Sequence, residues 1–184
     1  MEISGLIAYL VSFIIMAGIY SIFSLGLNIQ WGYTGLFNIG IAGFFCIGAY
    51  VSALITLPRP TGTYAEYVHQ IFALNMPFPL GLLGAAVACG LIAFLIGIPT
   101  LKLSDDYLAI ATIGIAEAIR LIFNNEQWIA NGPRGLAGLP QPFSGLVEGR
   151  YYNYIYVVIV ITIMIIIYFL IERAIRSPWG RVLR

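Results

Sequence analysis

Charge is rare in this chain, so the places where it gathers are the first candidates for chemistry. Arg173, Arg176, Arg181 and Arg184 crowd the final stretch IERAIRSPWGRVLR, although the whole chain has only 9 basic residues. Guanidinium groups at that density make charge-assisted contacts with carboxylates or phosphates. Glu117 and Arg120 stand three positions apart, a spacing at which side chains on one helix face can pair. A third group is uncharged: Gln30, Thr34 and Asn38 lie in NIQWGYTGLFNIGIAGFFCIGAY, interleaved with Gly32, Gly35, Gly40, Gly43 and Gly48. Amides and a hydroxyl beside backbone freed by glycine suit a small polar solute at membrane depth. The same glycines equally suit close helix packing, as do Gly81, Ala85, Ala86 and Gly90 further along.

Catalytic chemistry has no comparable support. The sequence contains no phosphate loop of the G-x-x-x-x-G-K-[ST] type, no Ser/His/Asp set, no H-E-x-x-H pair and no dinucleotide fingerprint. His69, the single histidine, sits near Tyr67 and reads as a solvated loop residue. Cys46 and Cys89 fall inside apolar runs with small neighbours and read as buried packing thiols, without metal-ligand spacing. An enzyme, a metal site and a bound cofactor are therefore not expected. Nucleic-acid binding is also not expected, because basic residues line no helical face apart from the terminus.

The elements that must position these residues follow from composition. Hydrophobic residues make up 60% of the chain and charged residues 9%, against about 25% charged in soluble domains. This is an all-α, polytopic membrane protein by composition, expected to form a single transmembrane domain of about five helices. No basic region precedes the first apolar run, which is expected to be a span and not a cleaved leader. From Ile3 to Leu27 no charge interrupts the chain, enough to cross about 30 Å of hydrocarbon at about 1.5 Å per residue. Further spans are expected at about 35–57, at 78–98 ahead of Pro99, at 107–123 and at 152–171. The second is expected to be broken near its glycine-rich start.

The segment YLAIATIGIAEAIRLIF is the least regular of these, because it carries Glu117 and Arg120. Asp105 and Asp106 precede it, where a helix start favours anions. One reading makes it a span facing protein, with Glu117 and Arg120 paired inside the membrane. The other places Arg120 at the interface, snorkelling with Glu117 beside it. Orientation follows from the arginines: four flank the end of the last span, against Arg59 in one long loop and Arg134 and Arg150 in the other. The C-terminal end is expected to be cytoplasmic. Five crossings then place the N-terminus outside, the loop at Lys102 inside and both longer loops outside. The loop NNEQWIANGPRGLAGLP has turn-forming residues at almost every step from Asn131 to Gly135, so its backbone must bend repeatedly. Such a loop could close an external vestibule, meet an external partner or simply connect two spans.

Four blocks in order carry a family resemblance: LGLNIQWGYTGLFNIGIAGFFCIGAY, LSDDYLAIATIGIAEAIRLIF, NGPRGLAGLP and RSPWGRVLR. Together they resemble the membrane-spanning permease subunits of branched-chain amino acid ABC importers, in particular the LivM type. The resemblance implies a subunit that pairs with a second, LivH-type permease, two cytoplasmic ATPase subunits and an external substrate-binding protein in a bacterial or archaeal inner membrane. It also implies that residues 172–184 form a cytoplasmic coupling segment. Arg176, Ser177, Pro178, Trp179, Gly180 and Arg181 would then dock into a groove on the ATPase. The residues make physical sense of this, since Pro178 is pre-organised for the first turn of a short helix. Anchoring of the arginines to anionic lipid is also physically adequate; both can hold together, and the motif is what favours docking.

Members of this family usually continue beyond the coupling motif, so the chain is expected to lack its C-terminal half. Related permeases of this architecture serve urea or other small polar solutes, and a channel or structural membrane protein needs no ATPase at all. These readings stay open at the level of sequence.

Overall fold

The computed structural model describes residues 2–61, 65, 69, 71–100, 102–142, 152–178 and 180. The described elements are helical: α1 (Glu2–Asn28), a π-turn (Ile29–Tyr33), α2 (Ile41–Thr56), α3 (Phe78–Thr100), α4 (Asp105–Asn125), the short α5 (Gln127–Ala130), a 3₁₀ turn (Gly132–Arg134) and α6 (Tyr152–Arg176). They form two compact units, Met1–Leu36 with Phe143–Arg184 and Phe37–Pro142.

Both units turn oil outward. Phe94 and Phe13 are 68% and 61% exposed, and Ile110 reaches 69%. Water would penalise such surfaces, whereas a bilayer core solvates them and leaves close packing to hold helices together. Segments Gly5–Tyr33, Phe78–Thr100 and Tyr152–Arg176 are long and apolar enough to cross a membrane, and α2 is a shorter apolar helix. The chain is thus an all-α polytopic membrane protein.

In the first unit α1 packs against α6 where Gly18 meets Val160: a Cβ on Gly18 would lie 2.5 Å from Val160 Cγ1. Val11 and Val160 are both buried. The groove that opens beyond this contact is walled by Ala17 to Asn28 on α1 and by Met164 to Phe169 on α6. From the Gly18–Val160 contact the groove extends toward the C-terminal end of both helices, so the two run parallel.

The second unit is a three-helix cluster held by small residues. Gly81 of α3 sits over Thr56 and Ser52 of α2, Gly84 meets the Ile55 side chain, and Gly48 faces Cys89. As α2 positions fall, α3 positions rise, so these helices are antiparallel. Against α4 the register is parallel: the Ile39 N–H donates to Thr112 Oγ1 across a separation of 73 residues. Gly43 then meets Ala116, and Tyr50 stacks on Phe123 with ring centroids 4.4 Å apart. Ile47, at 2% exposure, sits in the middle of this cluster.

Several sequence expectations change here. The second helix does not begin at Gly35 but at Ile41, and its length of about 24 Å falls short of the bilayer core. Gly35 adopts φ +70, a left-handed conformation that ends the preceding turn,. The third helix passes through Pro99 to Thr100 instead of stopping at Ile98. A proline in the last turn withholds only one N–H, and Thr100 Oγ1 donates back to Ile96 O at 2.8 Å,. The last helix extends beyond residue 171 to Arg176, so residues 172–176 of the expected coupling segment are its final turns. Cys46 and Cys89 are free and half-buried instead of fully buried, and Cys89 Sγ donates to Phe44 O at 3.3 Å.

Candidate functional site

The first candidate is the helix break between α1 and α2. Helix α1 passes into a π-turn, a feature that single-turn insertions often mark at functional sites,. Thr34 Oγ1 donates to the Gln30 carbonyl, so two of the three expected polar residues meet across this turn. The Gln30 side chain is only partly exposed, and its Oε1 is buried with no partner among the described residues. A buried acceptor without a donor costs about 1–3 kcal/mol, so Gln30 Oε1 is an unmet polar demand among the described residues. Asn38 does something different and belongs to the second unit. Its Oδ1 accepts the Gly40 N–H at 2.8 Å, a local turn that launches α2. The chain beside it is fixed by Thr112, whose Oγ1 accepts from Ile39 N at 3.2 Å and donates to Ala109 O at 3.0 Å.

Glu117 and Arg120 pair in bidentate fashion: Nε to Oε2 at 2.9 Å and Nη2 to Oε1 at 2.6 Å. The pair is not covered by its own chain, since the Arg120 and Glu117 side chains are 62% and 51% exposed. Within its own chain this face has no cover, so the readings of a face packed on a partner subunit and of an interfacial pair both stay open. It shares its helix face with exposed Tyr107, Ile110 and Ile113.

The second candidate is the end of α6. The Ser177 hydroxyl donates to Ala174 O at 2.6 Å, and its N–H donates to the same carbonyl at 3.2 Å. Both terminate the helix by satisfying an otherwise orphaned carbonyl. Gly180 N then donates to Ser177 O at 3.0 Å. Gly180 is buried on the backbone of Ile175: a Cβ there would lie 2.7 Å from Ile175 Cα and collide with the Ile175 carbonyl oxygen. The turn thus doubles back onto α6 and leaves Pro178 exposed. Arg176 Nη2 pairs with Glu172 Oε1 one turn earlier. Trp179 and Arg181 lie outside the described residues, as does Arg184.

Sequence reasoning missed the residue that joins the two longer loops. Asn131 is 8% exposed and adopts φ 64. Its Oδ1 accepts from His69 N at 3.4 Å, and its Nδ2 donates to Gly135 O at 3.1 Å. Beside it Ile71 N donates to Ile129 O at 3.3 Å. The Asn-Gly dipeptide signalled the left-handed turn; nothing local signalled a contact 62 residues away. Trp128 remains exposed at this end, with its Nε1 donating to Glu126 Oε2 at 2.7 Å.

With this geometry in view, the comparisons with known proteins are specific. The family model for the permease component of branched-chain amino acid transport systems matches residues 9–184. The high-affinity branched-chain amino acid transport system permease protein LivM of Salmonella typhimurium is 39% identical over 127 residues, 69% of this chain and 26% of that protein. The same-named protein of Escherichia coli is 39% identical over 124 residues, 67% of this chain and 26% of that protein. A probable LivM permease of Methanocaldococcus jannaschii is 31% identical across 91% of this chain and 53% of its own length. The chain spans only about a quarter of the two bacterial relatives and about half of the archaeal one. No solved structure matches it.

Proposed function

Because the chain belongs to the family of permease components of branched-chain amino acid transport systems, we propose that it is the transmembrane permease subunit of an ABC importer for branched-chain or other neutral amino acids. The observation that carries this reading is the match over residues 9–184, which takes in both the helix break and the end of α6. ATP hydrolysis is assigned to two separate cytoplasmic subunits. A second permease subunit and an external substrate-binding protein complete the assembly, which sits in the cell's inner membrane.

The packing directions support the topology read from charge. Alternating crossings require α1 to run parallel to α6, α2 parallel to α4, and α2 antiparallel to α3. All three relations hold within the units, and the two longer loops touch through Asn131 and Ile71. Both loops are then external, Lys102 is internal, and the arginines after α6 are cytoplasmic. In a variant without Cys46 and Cys89, Trp128→Cys should react with a membrane-impermeant maleimide on intact cells. Lys102→Cys should react only after permeabilisation. The reverse pattern would invert the orientation.

The turn at Ser177–Gly180 supplies the coupling. An ATPase that grips a compact turn stiffened by Pro178 can move α6 as a rod, and α1 packs directly on that rod through Gly18 and Val160. Rocking of packed helices between two arrangements is a common way to alternate access. Gln30 in the π-turn and Thr34 at its end are proposed to line the path from the first unit, and Asn38 is proposed as a path residue of the second unit by itself. In proteoliposomes holding the complete assembly, labelled leucine should accumulate only with ATP and should not be displaced by excess urea. Competition by urea would move the assignment to a small-solute permease, and uptake without ATP would move it to a channel.

A further inference from the structure

The face shared by α1 and α6 carries two neighbouring recesses, the lower of which reaches Arg176 and Ser177 at the start of the coupling turn. The upper one, about 680 Å³, runs between the helices from Ala17 to Asn28 on one side and from Met164 to Phe169 on the other. The lower one, about 490 Å³, is lined by Phe169, Glu172, Arg173, Arg176 and Ser177. Phe169 lines both, so the two recesses adjoin along α6 between its middle and its charged end.

Its chemistry changes along its length. The upper part is walled chiefly by Leu25, Met164, Ile165 and Phe169. Its polar lining is uncharged, from Tyr20, Ser21, Ser24, Asn28 and Tyr168, and the Ser21 hydroxyl donates to Ala17 O at 2.7 Å. Among the described residues no carboxylate or cationic side chain lines this part, so a zwitterion lodged there would find no counterpart for either charge among them. The lower part is basic. Arg176 is neutralised by Glu172, while Arg173 has no acidic partner among the described residues. Helix α6 has no charged residue between Tyr152 and Glu172, a run of about 30 Å that fills the hydrocarbon core and sets Arg173 at the headgroup layer.

We propose that this groove binds one anionic phospholipid, with an acyl chain laid between α1 and α6 and the phosphate held by Arg173. The guanidinium is matched to phosphate by geometry and charge, and the length of the upper recess, about 16 Å along α1, gives the chain a bed. The site uses only the first unit, and although its lower end includes Arg176 and Ser177 of the proposed coupling segment, its test reads lipid retention and not ATPase recovery, so the two can fail separately.

Native mass spectrometry of the 184-residue chain, offered equal amounts of phosphatidylglycerol and phosphatidylcholine, tests it directly. Phosphatidylglycerol should be retained at least about fivefold over phosphatidylcholine, one basic contact's worth at the surface. Arg173→Gln should abolish that preference and Arg173→Lys should keep most of it. Ser24→Phe, which plugs the groove, should reduce retention of long-chain lipid while leaving the headgroup preference of a short-chain analogue intact. Equal retention of the two lipids, or an unchanged preference in Arg173→Gln, would overturn the site. So would displacement by inorganic phosphate as effective as that by phosphatidylglycerol, which would leave a bare anion pocket. Displacement by free leucine would overturn it too and reassign the groove to the transported solute.

Discussion

Replacing Gly43 with leucine should lower the stability of the α2–α3–α4 cluster by about 1–3 kcal/mol or more, the range for forcing extra carbon into a packed contact. The site allows little relief. A Cβ at Gly43 would lie 2.9 Å from Ala116 Cα and 3.2 Å from both Ala116 Cβ and Ile119 Cδ1. The first of these atoms is backbone, so the clash cannot be resolved by turning a side chain and the two helices must part. Parting them also pulls on the Ile39–Thr112 hydrogen bond and the Tyr50–Phe123 stack, which lie on either side in the same register. Gly90→Leu is the control, because nothing lies within 4 Å of a Cβ there. The temperature at which half of the detergent-solubilised protein stays monodisperse should fall clearly for Gly43→Leu and hardly move for Gly90→Leu. Equal midpoints would mean that α2 and α4 are not held by this contact.

That contrast also shows why some of the molecule was legible in the sequence and some was not. Spans such as α3 and α6 announce themselves, because charge cannot enter hydrocarbon cheaply and the last turns of α6 begin where Glu172 and Arg173 do. Glycine content announced trouble after Asn28 but not its form. Glycine permits both close packing and a break, and only the backbone reveals that Gly35 turns left-handed while Gly43 packs. The three expected polar residues were close in sequence yet serve different ends: Thr34 closes on Gln30, whereas Asn38 starts α2. The Glu117–Arg120 pair followed from spacing, and its exposure did not, because the direction of a helix face depends on partners no local pattern encodes. Asn131 is the same lesson at longer range.

We propose that the turn after α6 couples this chain to an ATPase, and Gly180 is the most sensitive point for testing this. Gly180→Val would drive a branched side chain into the Ile175 carbonyl, so the turn must open and the exposed Pro178 must move. Membrane insertion should be unaffected, because no span residue changes. The ATPase co-purifying with the tagged assembly should drop by at least about tenfold, the loss that follows from roughly 1.4 kcal/mol of binding energy. Pro178→Ala, which removes the preset backbone but no contact with Ile175, should give a smaller loss in the same direction. Quantified ATPase recovery beside equal membrane yield is the decisive measurement. A steep loss with Gly180→Val is the predicted result, and full recovery of the ATPase with Gly180→Val would contradict the coupling role of this segment.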